Sequence, residues 1–236
     1  MIDPSGLRTR LADVRARIER AAGRAGRDPA SVRLVAISKT FPADAVRAAA
    51  SAGQIDFGEN KVQEALEKIE RTSDLPLRWH LVGHLQSNKA RKTGRFDVIH
   101  SIDDAPLIAK VDDAARAAGR TIEVLVQVDL AGEATKHGAR EEQLFEIFDA
   151  ARALTAARIV GLMLLPPAVE HPEDARPYFK ELQAVRDRLL ARGVDGSRLR
   201  ELSMGMSHDF EVAVEEGSTM VRVGTAIFGG RFYPRP

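Results

Sequence analysis

The feature that most constrains this fold is a repeated alternation between short apolar runs and longer helical patterns. Runs typical of buried strands occur at residues 33–37, 54–57, 78–82, 97–101, 122–128, 158–163, 199–203 and 219–223. Helical patterns lie between them, at about 43–52, 60–71, 86–93, 104–118, 140–154, 173–192 and 208–216. Strict alternation predicts parallel strands joined by right-handed crossovers. Eight strands favour a single (β/α)8 TIM barrel of the α/β class, although an open doubly wound sheet gives the same alternation.

A further helix is predicted ahead of the first strand. Leu7, Leu11, Val14 and Ile18 recur at helical spacing, and glycines and a proline end the pattern. We expect residues 1–28 to form an extra N-terminal helix packed on the barrel. A chain of 236 residues suits one barrel, and no linker or low-complexity tract divides it. The prediction is therefore one domain over residues 1–236.

Composition excludes several classes of protein. The 35 basic and 34 acidic residues give a net charge of +1, without the basic excess of nucleic-acid and anionic-membrane proteins. No apolar run approaches the roughly 18 residues that span a bilayer. The absence of cysteine rules out disulfides, thiolate metal sites and cysteine nucleophiles, and fits a reducing compartment. We expect a cytoplasmic protein that binds neither nucleic acid nor membrane.

Lys39 is the first candidate functional residue, because it directly follows the first predicted strand. In βα barrels the carboxyl ends of the strands carry the active site. A lysine at the mouth of an apolar strand is partly removed from water, which favours its neutral, nucleophilic form. The alternative is an ordinary strand-end lysine that extends to solvent.

Two loops near the C-terminus have the composition of an anion site. Ser207 is a candidate N-cap for a helix beginning near His208, and Gly205 would let the backbone approach a ligand. Gly224 and Thr225 follow the eighth strand, and barrels often bind phosphate with the loops after strands seven and eight. The alternative is ordinary capping and a turn glycine.

Two histidines close in sequence raise the question of a metal site. His80 and His84 lie four residues apart, but the segment is predicted to be a strand and turn, and no third ligand has a telling spacing. We predict buried, hydrogen-bonded structural roles for both and no metal site. Dinucleotide, Walker, nucleophile-elbow and zinc-protease motifs are also absent from the sequence, so no catalytic residue is predicted.

Taken in order, the motifs along residues 33–233 resemble the pyridoxal phosphate homeostasis proteins, which share the N-terminal barrel of alanine racemase. The motifs are Ala36-Ile37-Ser38-Lys39-Thr40, Phe57-Gly58-Glu59-Asn60, Trp79-His80-Leu81-Val82-Gly83-His84-Leu85-Gln86-Ser87-Asn88-Lys89, Lys136-His137-Gly138, Gly161-Leu162-Met163, Ser203-Met204-Gly205-Met206-Ser207 and Arg222-Val223-Gly224-Thr225. The resemblance implies an alanine racemase N-terminal-like fold that binds pyridoxal 5′-phosphate (PLP).

The same resemblance implies a role for individual residues. Lys39 would hold PLP as a Schiff base, with the phosphate against Ser207, Gly224 and Thr225. Arg222 would lie near the pyridine nitrogen, disfavouring its protonation and weakening the ring as an electron sink; on sequence alone an ion pair with a carboxylate is equally open. The remaining pocket residues implied are Asn60, His80, Ser101 and Met204.

The function implied is non-catalytic PLP homeostasis, meaning buffering and delivery of the cofactor by a monomer, without robust turnover. PLP-dependent amino-acid racemisation is the alternative, and weak activity of this kind stays open. A third interpretation is an adaptor for apo PLP-dependent enzymes, contacted through Lys136 and residues 86–92. The sequence assigns no role to Asp129 or to the loop 164–172, where the chain departs from the family pattern.

Overall fold

A computed structural model describes residues 4–132 and 137–230 of this protein. In this part of the chain, eight parallel strands pair in sequence order and close into a barrel when β1 pairs with β8. The strands are β1 (Arg33–Ile37), β2 (Asp56–Glu59), β3 (Arg78–Leu81), β4 (Val98–Ile102), β5 (Ile122–Val128), β6 (Ala157–Leu164), β7 (Glu201–Met206) and β8 (Met220–Val223). The predicted (β/α)8 barrel is therefore confirmed, and the open sheet is excluded.

Helices surround the strands as the sequence predicts. They are α1 (Pro4–Arg24), α2 (Ala43–Ser51), α3 (Val62–Arg71), α4 (Ala105–Ala117), α5 (Glu141–Ala150), α6 (Arg176–Ala191), α7 (Phe210–Glu215) and α8 (Thr225–Phe228). The connection from β3 to β4 is the 3₁₀ helix Ser87–Arg95 instead of an α-helix. Within the described ranges, no helix is both long enough and apolar enough to cross a membrane.

Helix α1 fills a place in the outer ring that the single turn of α8 leaves open. It buries the predicted stripe of Leu7, Leu11, Val14 and Ile18, and it packs against α2, α7 and α8. The guanidinium of Arg10 donates to the carbonyl of Ile227 at 2.7 Å, joining the two ends of the fold. Apolar burial and this long-range hydrogen bond attach α1 to the barrel.

Two small apolar clusters and a group of buried polar side chains lie inside the barrel. One cluster contains Val98, Leu125, Val160 and Met163, and another contains Val35, Ile37 and Val82. Branched apolar residues are the usual filling of such barrels. Buried histidine, serine and arginine side chains are not, so the polar group requires a separate explanation.

Two predicted strands were placed too early along the chain. Strand β2 begins at Asp56 instead of residue 54, because the Gln54 side chain bonds the carbonyls of Leu34 and Asp56 as the chain enters the barrel. Strand β7 runs from Glu201 to Met206 instead of 199–203, and Leu199 ends a preceding 3₁₀ turn. Segments predicted as loops, such as residues 58–59 and 204–206, therefore belong to strands.

Candidate functional site

A cavity of about 460 Å³ opens at the carboxyl ends of the strands. It brings together six of the nine predicted site residues, which are Lys39, Asn60, Ser207, Arg222, Gly224 and Thr225. Its apolar wall includes Phe41, Val82 and Leu165. The size and the mixture of apolar wall and convergent polar groups are typical of a small-molecule site.

The other three predicted residues lie outside the lining of this cavity. His80 is fully buried inside the barrel and bonds other side chains there. The Ser101 hydroxyl donates to the carbonyl of Gly83 at 2.7 Å, so it holds the loop after β3. Met204 is buried in the apolar core, and Met206, two residues later on β7, lines the cavity instead.

Arg222 forms part of the cavity floor, and its guanidinium has only neutral hydrogen-bond partners. It donates to the Ser203 hydroxyl at 2.5 Å and to the Leu164 carbonyl at 2.7 Å. Among the described residues it forms no ion pair with a carboxylate, which decides against that alternative. Burial lowers the pKa of Arg222 to about 10, so the group remains protonated at neutral pH.

A chain of buried hydrogen bonds leads from Arg222 to the opposite end of the barrel. Ser203 contacts His100 Nδ1 at 2.8 Å, His100 Nε2 contacts His80 Nδ1 at 2.9 Å, and His80 Nε2 contacts Asp56 Oδ1 at 2.9 Å. Since the ionised Asp56 carboxylate can only accept and each neutral imidazole has one donor, the direction is set from that end, and the Ser203 hydroxyl donates to His100 Nδ1. Each imidazole then donates from Nε2, and the chain ends on the Asp56 carboxylate.

This direction of donation agrees with the charges expected inside the barrel. Burial lowers the pKa of His80 and holds the pKa of His100 well below its usual value, so both rings are neutral. Burial of Asp56 opposes ionisation, but the hydrogen bond from His80 and the nearby charges lower its pKa overall. The chain therefore has a cation at the cavity, an anion at the far end and neutral groups between them.

The loops after β7 and β8 are joined through Ser207, but not in the predicted manner. Helix α7 begins at Phe210 with Asp209 at its N-cap position, so Ser207 is not its cap. The Ser207 hydroxyl instead accepts from the amides of Gly224 at 3.1 Å and Ala226 at 3.4 Å. Gly205 has a φ of 93° and packs against α7, where a Cβ would lie 2.6 Å from the Cβ of Ala213. A glycine at position 205 therefore allows β7 to pack closely against α7.

The turn that carries Lys39 is held by a buried ion cluster that the sequence analysis missed. The Lys68 ammonium donates to the Ser38 carbonyl at 2.8 Å and to the carboxylates of Glu59 at 2.6 Å and Glu64 at 2.8 Å. The Ser38 hydroxyl donates to Glu59, and the amide of Thr40 donates to Glu64, both at 2.6 Å. Both neighbours of Lys39 are thus fixed to this cluster.

Within the cluster, the Glu59 carboxylate is fully buried but only partly hydrogen-bonded. Its side chain has no exposure, and its Oε2 atom has no hydrogen-bond partner in the described part of the chain. Burial raises the pKa of Glu59 to about 7, although Lys68 and Ser38 act in the opposite direction. The spacing of Glu64 and Lys68, four apart on a helix, is the signal from which this cluster was predictable.

Other predicted features have mixed outcomes. Lys136 lies outside the described residues, so its predicted contact with a partner stays a prediction. Asp129 accepts from the amides of Ala131 at 3.1 Å and Gly132 at 2.9 Å, forming a turn after β5. The loop 164–172 contributes Leu165 to the cavity wall. His84 is one-third exposed at the rim, so its predicted buried role is wrong.

Comparison with known proteins places the chain in a family. The sequence model of the alanine racemase N-terminal domain matches residues 9–232. A pyridoxal phosphate homeostasis protein of Aquifex aeolicus is 44% identical over 225 residues, which cover 95% of this chain and 98% of that protein. A protein of the same name from Pseudomonas aeruginosa is 43% identical over 228 residues, or 96% of each chain.

Solved structures give the same grouping. PipY of Synechococcus elongatus, solved with PLP bound, is 40% identical with a TM-score of 0.83, over 94% of this chain and 100% of that chain. Alanine racemase of Corynebacterium glutamicum has a TM-score of 0.71 at 15% identity and is matched over only 63% of its chain, which shows a shared fold. By sequence and by fold, this chain belongs to the alanine racemase N-terminal domain family and, within it, to the pyridoxal phosphate homeostasis proteins.

Proposed function

We propose that this protein binds PLP covalently on Lys39 and acts in intracellular PLP homeostasis as a buffer and donor of the cofactor. The observation that carries the proposal is the shared cavity of Lys39 and Arg222. A buried guanidinium that forms no hydrogen bond to a carboxylate of the described residues, facing the same cavity as a lysine, suits an anionic ligand that also reacts with an amine.

The donor set of the cavity fits each part of PLP. An aldehyde requires an amine, and Lys39 would supply it for a Schiff base, with loss of water. A phosphate requires hydrogen-bond donors, and Ser207 and Thr225 would supply their hydroxyls; the Ser207 oxygen already accepts from the amides of Gly224 and Ala226. Gly224 lies close to β1, where a Cβ would be 3.3 Å from the Ile37 carbonyl oxygen. The apolar wall suits the face of an aromatic ring.

Arg222 supports a role in storage over a role in catalysis. When bound, PLP supplies an electron sink whose strength depends on protonation of its ring nitrogen. A guanidinium that stays protonated at neutral pH can only donate a hydrogen bond, so beside the ring nitrogen it would disfavour protonation of that nitrogen. We infer that this chain holds PLP in a form with little catalytic power.

The same proposal includes the domain organisation, the oligomeric state and the cellular location of the protein. We propose that residues 1–236 form one PLP-binding domain, with the segment 1–28 packed on the barrel, that the protein is a monomer, and that it works in the cytoplasm. Sedimentation of the purified protein at several concentrations tests the monomer. A dimer at micromolar concentration would contradict it.

Borohydride reduction followed by peptide mass mapping tests the covalent site. We expect a reduced PLP adduct on Lys39 and loss of the bound chromophore in Lys39→Ala, whereas Lys89→Ala, an exposed lysine on the same rim, should keep it. An adduct on another lysine, or no adduct, would overturn the proposal.

Two activity measurements separate the proposed function from its alternatives. The loaded protein should racemise alanine at a negligible rate, because the fold similarity to racemases extends over only part of their chains. Transfer of PLP to an apo PLP-dependent enzyme should exceed the rate set by release of free PLP. Equal rates would reduce the protein to a passive buffer, and substantial racemisation that depends on Lys39 would make it an enzyme.

A further inference from the structure

A second cluster of titratable side chains lies at the rim, next to the proposed PLP cavity. His84 follows β3, Asp103 directly follows β4, and His137 lies between β5 and α5. One potential ligand atom from each residue lies within 4.8 Å of the other two. These loops come from three consecutive strands, so the fold brings together residues far apart in the sequence.

From this convergence we infer that His84, Asp103 and His137 bind one divalent transition-metal ion, such as Zn²⁺. Two imidazoles and one carboxylate are a common ligand set for zinc and iron, with further positions left for water or another ligand. A cleft of about 440 Å³ beside the three residues provides room for those positions. The proposal is independent of the PLP site, although His84 lines both cavities.

The Asp103 carboxylate is available for such an ion. It is 17% exposed, and in the described ranges it forms no ion pair with a lysine or arginine. Its nearest charged partner is His84, whose Nδ1 lies 3.6 Å from Oδ2, too far for a hydrogen bond. The neighbouring Asp104 is already occupied, because its side chain accepts from the Leu107 amide at 2.6 Å as the cap of α4. Of the two adjacent carboxylates, Asp103 is therefore the one that faces the two histidines without capping a helix.

The two imidazoles already lie in contact. Their rings stack with centroids 3.5 Å apart and an angle of 9° between planes. With zinc–ligand bonds of about 2.0–2.1 Å, donor atoms of a tetrahedral site lie about 3.3 Å apart. The rings must therefore open from the stack, and the donor atoms must approach one another by at most about 1.5 Å.

Titration of the purified, chelator-treated protein with Zn²⁺ by calorimetry tests the site. We expect one ion per chain and an increase in melting temperature on binding, since the ion binds only the folded site. His137→Ala and Asp103→Asn should each weaken binding by more than the roughly 10–100-fold lost with outer-shell partners. His171→Ala, an exposed histidine elsewhere, should bind as wild type does.

Cobalt gives an independent readout of the ligands. Co²⁺ in place of Zn²⁺ should show visible absorption typical of nitrogen and oxygen coordination, lost in His137→Ala. Lys39→Ala should bind either ion with unchanged affinity, so the metal proposal and the PLP proposal can fail separately. Absence of binding, equal affinity in all variants, or binding that survives Asp103→Asn would overturn the three-ligand site.

Discussion

Replacing Glu59 with glutamine should flatten the dependence of the free energy of unfolding on pH. Burial raises the pKa of Glu59 from 4.5 to about 7 in the folded protein. The folded carboxyl therefore holds its proton more tightly than the unfolded one. Its stabilising contribution is complete below pH 4.5 and is lost as the pH rises through about 7.

The magnitude follows from the difference between the two pKa values. A difference of about 2.5 units is worth about 3.4 kcal/mol at 1.36 kcal/mol per unit. About 2.5 kcal/mol of this falls between pH 5 and 8, since about 0.8 kcal/mol is already lost at pH 5. Glutamine keeps the shape and an acceptor oxygen for Lys68 but cannot titrate.

Urea unfolding of wild type and Glu59→Gln across that pH range measures the effect. The variant should gain about 2.5 kcal/mol relative to wild type as the pH rises from about 5 to 8. Glu67→Gln, which removes an exposed carboxylate on the neighbouring helix α3, should follow wild type throughout. Parallel curves for wild type and Glu59→Gln would refute the reasoning, as would a relative loss of stability in the variant at high pH.

Three further predictions concern the barrel and its buried polar groups. Lys68→Met should destabilise the fold by about 3–5 kcal/mol in urea unfolding, because it leaves two carboxylates without their shared cation, whereas exposed Lys89→Met should change little. Nitrogen NMR should show His80 and His100 as neutral rings protonated at Nε2 at neutral pH, and titration of either with the pKa of a free imidazole would contradict the hydrogen-bond chain. Gly161→Ala should abolish soluble folded protein or cost several kcal/mol, since the new Cβ would lie 1.9 Å from a backbone oxygen of β7; circular dichroism and melting against wild type check this.

The barrel was predictable from the sequence because the alternation of strand and helix patterns is repeated along the chain. The run 122–128 is bounded by Thr121 and Asp129, and the run 33–37 ends at Ser38; the observed limits of both strands agree with the predicted ones. Strand β7 was misplaced because Ser203, Met204 and Gly205 lack the branched apolar character by which strands are recognised. Their strand conformation comes from pairing with β6 and β8.

Side-chain partners were harder to predict than strands. The resemblance suggested His80 as a pocket residue, but strand direction and burial place it inside the barrel, bonded to His100 twenty residues away. The rim cluster around His84 was invisible for the same reason, since Asp103 and His137 come from other loops. Spacing along a chain reveals partners on one helix, whereas partners across a barrel appear only when it closes.

The position of α1 bears on the order in which the protein can fold during synthesis. Helix α1 is made before the barrel strands, yet it packs against α7 and α8, which follow the seventh and eighth strands. About 200 residues separate them, which at 5–20 residues per second corresponds to roughly 10–40 s of translation. For that time the stripe of α1 has no native cover from these helices. The emerging chain must therefore keep the apolar stripe of α1 soluble until β8 and α8 leave the ribosome.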